Sequence, residues 1–167
     1  YGVSYLGYAT LSVVGIYENA RSWMILSEVG GKSQLSYFNM LEYDSEVDTI
    51  ISSRITLDVN GMSNDGAELG SGPIALQEHF REGVDWNENI IGNVCVFQES
   101  GAVDLSGVDF TKEIDMAEAF DGGTYPAGVI LGPGTFMDWV DIVTDQEGRL
   151  YSRLKSVSTV YNTDYFL

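Results

Sequence analysis

The chain has 167 residues, 25 acids against 8 bases, one histidine, one cysteine and a formal charge of −17. That length suits one domain, large enough to bury a core without disulfide or metal staples. The acid excess excludes a surface that binds nucleic acid by charge neutralisation, and 44% hydrophobic with 12% aromatic residues excludes wholesale disorder.

The apolar stretch from Val3 to Ile16 is broken by Gly7, Thr10, Ser12 and Gly15, and no basic segment precedes it. It is too short for a helical bilayer span and does not read as a signal peptide, so a soluble chain with no membrane span is expected. As a strand, Tyr5, Ala9, Leu11, Val13 and Tyr17 line one side, with Leu6, Tyr8, Val14 and Ile16 on the other. Next, Trp23 and Ile25 oppose Met24 and Leu26. Strand is favoured over a helix closed by Gly30-Gly31 for residues 21–28, and over helix for 34–43. Strands apolar on both faces are buried twice, inside a sandwich or against another subunit. Residues 1–41 are therefore expected to act as an assembly arm or hairpin. Tyr5, Tyr8, Trp23, Met24 and Leu26 are the candidate oligomer interface.

Further along, Asp44, Glu46 and Asp48 alternate, and Ile55, Leu57 and Val59 alternate with Thr56, Asp58 and Asn60, the pattern of a half-buried strand. Asn60-Gly61 reads as the turn that follows. The polar run Asn60–Gly66 and the Asp44–Asp48 acids have the oxygen-rich character hard cations want, but neither fits the twelve-residue calcium loop. A solvated turn is the favoured reading of both, and no cofactor or metal is expected.

Gly72-Pro73 followed by Leu76, Phe80 and Val84 at four-residue intervals predicts a helix with Pro at its first position. His79 would lie on it as a surface histidine, since positions 75 and 83 offer no second ligand. Residues 89–98 read as a buried strand containing Cys95, an inert small hydrophobe there. As the sole cysteine, it can form neither an intrachain disulfide nor a thiolate zinc cluster. A short helix is expected over Lys112–Phe120, stopped by Gly122-Gly123. Gly132-Pro133-Gly134 punctuates the chain before two strand-like runs, 135–144 and 149–161, joined by Asp145-Gln146-Glu147-Gly148 as a hairpin. The fold class expected is mainly β: an antiparallel β-sandwich or barrel with one or two short helices, forming a single domain over 1–167.

Charge is uneven along this order. Residues 1–41 are neutral overall, 42–121 carry −15 and 122–167 carry −2. An acidic, lysine-poor surface that only keeps the chain dispersed is one reading, and neutral ends that pair with neighbours around an acidic middle is the other. Enzymatic motifs are missing: there is no phosphate-binding glycine loop, dinucleotide fingerprint or nucleophile elbow. Among 25 acids a carboxylate pair at glycosidase spacing arises by chance and carries no specificity. The expectation is a non-enzymatic structural subunit of a homo-oligomer, virion or extracellular in location, such as a tail tube, capsid decoration or fibre component. The alternative is a secreted or surface glycan-binding β-sandwich module, calcium-stiffened, using Trp23, Trp86 and Trp139 for stacking.

Overall fold

The computed structural model describes residues 5–10, 22–80, 92–107, 109–136 and 140–154. Among these the chain is mainly β, built as three antiparallel sheets in a sandwich-like arrangement with one short α-helix. The first sheet has strand order β1 (Tyr5–Thr10), β2 (Ser22–Val29), β3 (Lys32–Asp44) and β4 (Thr49–Thr56). The second runs β5 (Pro73–Phe80), β6 (Gly92–Gln98), β7 (Gly101–Ser106) and β8 (Lys112–Asp115). The third places β10 (Val140–Asp145) between β11 (Leu150–Leu154) and β9 (Leu131–Phe136).

Strands 2 and 3 form where strand was favoured over helix. Val29 pairs with Lys32 across Gly30 and Gly31, at φ 60° and 80°. That is the two-residue turn whose twist matches a hairpin, and both positions need the left-handed backbone that glycine adopts freely.

The second sheet is the middle layer. Val94 and Val96 of β6 join Met24, Leu26, Leu35 and Tyr37 of the first sheet in one core, with Val59, Leu69, Leu105 and Phe110. Cys95 and Phe97 point the other way, into a second core with Met116, Phe120, Leu131 and Val143. A strand covered on both faces needs no polar alternation, which is why this segment reads as a continuous apolar run.

Four expectations are corrected. Residues 73–80 are strand β5, not helix, and His79 sits in that strand opposite Asn93. A spacing of four fits period two as well as period 3.6, and Pro73 takes the first residue of an edge strand, where its missing N–H costs no ladder bond. The half-buried strand through Val59 ends instead at Thr56, and Ile55 and Leu57 lie exposed. Val59–Ser63 form a one-turn helix, α1, so Asn60-Gly61 is helical; the Asp58 carboxylate caps it by accepting from Gly61 N at 3.2 Å. Lys112–Phe120 splits into β8 and a 3-10 turn, Met116–Ala119, capped by Asp115 Oδ1 accepting from Ala117 N at 3.0 Å. Finally, residues 135–144 do not form one strand. Gly132-Pro133-Gly134 lies inside β9, which turns back onto β10 with Phe136 opposite Asp141. The β10–β11 hairpin is present, with Thr144 opposite Leu150.

Candidate interaction surface

The sequence-predicted interface residues fall in three different settings. Met24 and Leu26 are wholly buried in the chain's own first core. Trp23 lies on the opposite face of β2, half-buried, its ring 5.2 Å from that of Phe38 on β3. Tyr5 and Tyr8 belong to β1, opposite Ser27 and Ile25, and their side chains lie outside the described residues. Residues 11–17 of the expected arm, together with Val84, Trp86 and Trp139, also lie outside them.

Among the described residues, exposed aliphatic side chains gather elsewhere, on the hairpin of β3 and β4. Strand β4 is an edge strand whose sheet partner among the described residues is β3. Its Ile50, Ile51 and Ile55 are 43%, 56% and 56% exposed, and Leu41 and Val47 beside it at 58% and 65%. Cross-strand pairing puts Ile55 next to Phe38 and Phe38 next to Trp23, a continuous apolar row across the outer face of the sheet. Acids cap this hairpin. Asp44 Oδ1 accepts from Glu46 N at 2.8 Å, and the Tyr43 hydroxyl donates to Asp48. An exposed, apolar strand edge is a ready template for another strand.

Strand β11 is the corresponding edge of the third sheet, and Leu150 at its start is exposed. Its entry turn is held by one carboxylate. Asp145 Oδ1 accepts from Glu147 N and Arg149 N, both at 2.9 Å, while Oδ2 accepts from Arg149 Nε at 2.6 Å and the Tyr151 hydroxyl at 3.1 Å. Burial by itself would push this carboxyl up, but the Arg149 guanidinium and backbone, Tyr151 and Glu147 N–H outweigh it and hold the pKa at about 2. Tyr151 also packs edge-on against Phe120, with ring centres 5.6 Å apart, which fixes β11 to the second core.

Nearby acids and amides are likewise committed to the fold. Asn64 Nδ2 donates to Phe110 O at 2.9 Å and Asn60 O at 2.9 Å, and its Oδ1 accepts from Lys112 N at 2.7 Å. These bonds hold Phe110, buried at φ 61°, in a backbone conformation a bulky residue rarely adopts. Asn60 Nδ2 donates to Ala67 O at 2.9 Å. Asn60–Gly66 is thus a helical turn and loop whose amides brace the β7–β8 connection, and among the described residues no group of three or more His, Cys, Asp or Glu gathers as a cation site. An open cleft of about 510 Å³ beside this loop is lined by Asn60, Ser63, Asn64, Glu68, Lys112 and Asp115 among others, with no aromatic ring. Tyr125, whose hydroxyl accepts from Ala102 N at 2.8 Å and donates to Ala102 O at 3.2 Å, has its pKa raised by burial and serves packing.

Sequence reasoning missed the β4 and β11 edges. Three isoleucines within Thr49–Thr56, with Arg54 the one charge among them, were the available signal for β4. No helix among the described residues is long and apolar enough to cross a membrane. Compared with known proteins, the chain matches no family model, no curated protein and no solved structure.

Proposed function

We propose that this chain is a non-enzymatic structural subunit that assembles with copies of itself, in a particle or filament of virion type such as a tail tube, capsid decoration or fibre. One observation carries the reading: the β3–β4 hairpin offers an edge strand with Ile50, Ile51 and Ile55 in water. Full burial of such a side chain is worth roughly 1.5–3 kcal/mol, and with about half of each already covered a neighbour would recover about half of that. Among the described residues, the groups with the strongest pKa shifts, Asp145 and Tyr125, are spent on a turn and a packing contact rather than converging on a cleft. The location moves from the opening strands to the hairpin, since Met24 and Leu26 serve the internal core.

Light scattering on size-exclusion eluate, with negative-stain imaging, tests this. Rings, filaments or a defined multiple of the 18.3 kDa chain are expected. A species of one chain mass at every concentration would end the assembly reading. Chelator-sensitive binding of that monomer to a glycan array would favour the carbohydrate module, although the cleft presents no ring for a sugar to stack on.

A further inference from the structure

Asn60-Gly61 is the one Asn-Gly pair in the chain. It lies in α1, away from the β4 edge, and carries chemistry of its own. Gly61 has no side chain to hinder its backbone nitrogen, which can attack the Asn60 amide carbon. The N–Cγ bond forms, the Cγ–Nδ2 bond breaks, and Nδ2 leaves as ammonia with the proton that Gly61 N gives up. Water then opens the cyclic imide at either carbonyl, leaving aspartate or isoaspartate at position 60.

In the folded chain the atoms this reaction uses are engaged. Asn60 is 4% exposed; its Nδ2 donates to Ala67 O at 2.9 Å and its Oδ1 accepts from Asn64 Nδ2 at 3.1 Å. The Gly61 N–H donates to Asp58 Oδ1 at 3.2 Å, and a carboxylate there opposes the negative charge that the nitrogen gains on losing its proton. A helical ψ of about −42° also keeps that nitrogen out of reach of Cγ. Yet α1 has only five residues, too few to hold a helix by its own ladder. Its closure depends on the Asp58 cap and on the bonds from Asn60 and Asn64, so it opens at a lower cost than the whole chain.

We propose that Asn60 is a self-modification site gated by α1: the closed helix protects it, and each opening gives the Gly61 nitrogen access to Cγ. Conversion then works against reclosure. Aspartate there turns an acceptor oxygen toward Ala67 O in place of a donor, and sets a charge at a buried position. Isoaspartate routes the main chain through the side-chain carbon and interrupts the helical ladder. Either product disturbs Asn64, which bonds Asn60 as well as Phe110 O.

Peptide mapping by mass spectrometry tests the gate, with the full-length chain incubated at mildly alkaline pH and the Asn, Asp and isoaspartate forms of position 60 resolved. Conversion is expected at least about tenfold slower in the folded chain than in the same chain unfolded in urea. Asp58→Ala, which removes the cap, should speed it about fivefold. Asp58→Asn restores an acceptor and tolerates the left-handed backbone at φ 51°, so it should bring the rate back toward that of the original chain. Conversion as fast folded as unfolded, or unmoved by Asp58→Ala, would overturn the gate. If Asp58→Ala fails to fold, urea below the unfolding transition replaces it: conversion that rises with urea supports the gate, and a flat rate overturns it. Hydrogen exchange on Asn60→Asp tests reclosure through the amides of Met62, Asn64 and Gly66, which donate to Asp58 O, Asn60 O and Gly61 O. These should exchange about tenfold faster than in the original chain. Unchanged protection would overturn the effect on reclosure and leave the gate standing. If that variant fails to fold, the converted fraction of aged original chain, separated by ion exchange, takes its place with the same two outcomes.

Discussion

Strands β4 and β6 are built from the same kind of residue and meet opposite fates. Val94, Cys95, Val96 and Phe97 of β6 are buried on both faces, whereas Ile50, Ile51 and Ile55 of β4 are wet. Position in the sheet order decides this. Strand β6 has β5 and β7 beside it in the sheet and a packed layer above and below. Among the described residues, strand β4 has one sheet neighbour and gives no side chain to either core. Apolar content marks a segment as strand-like; topology fixes whether its side chains are enclosed or left at an edge.

The contrast breaks most visibly at Phe97. Truncation to Ala should cost about 3–5 kcal/mol in urea denaturation, because the ring is wholly enclosed in the second core and the site cannot collapse around the void. A loss below about 1 kcal/mol would mean the middle layer is not closed. A smaller cost, about 1–3 kcal/mol, is expected for Gly134→Ala. An added Cβ there would lie 1.9 Å from Ile142 O and 2.6 Å from Val143 Cα, so the backbones of β9 and β10 would have to part. The Gln77 amide is closed over the same point: its Nε2 donates to Gly134 O at 2.6 Å and its Oε1 accepts from Gly134 N at 2.9 Å.

Acid should loosen the β10–β11 turn before it reaches the cores. The Asp145 pKa lies at about 2 in the folded chain against an ordinary 3.8. Its contribution is therefore complete above pH 3.8 and is lost as pH falls through about 2. Asp145→Asn should be less stable than the original chain at neutral pH, with the gap in melting temperature shrinking below about pH 3. A gap that stays constant into acid would show that the carboxylate charge does not hold this turn.

The legible parts of the fold are those whose cause is local. The apolar run of β6 and the Asp145–Gly148 hairpin each carry their signal within a few residues, whereas Gly30-Gly31, read only as the stop of a competing helix, is the turn of the β2–β3 hairpin. Strand β5 was missed because Leu76 and Phe80 are four apart, a spacing that helix and strand share, and the ladder with β6 settles it. Alternation in β2 separates Trp23 from Met24 correctly but cannot say which face is inward; that depends on Val94 and Val96, some seventy residues on. Asn64 was misjudged for a similar reason, since its partner Phe110 O lies 46 residues away. The exposed edge at β4 was hidden as well: Ile55 and Leu57 do alternate, yet periodicity describes a face without saying whether anything covers it.

The smallest expected effect is the sharpest test of the contrast. Ile51→Thr with Ile55→Thr keeps two β-branched residues in β4, so strand propensity is nearly unchanged and only apolar area is removed. On an edge where both side chains are more than half in water, removal should alter the monomer's stability by no more than about 0.5 kcal/mol. The same pair should nonetheless reduce assembly, because the lost area matters only once a second chain covers it. A monomer destabilised by more than about 1 kcal/mol would place those isoleucines among the chain's own supports, and β4 would then differ from β6 in degree rather than in purpose.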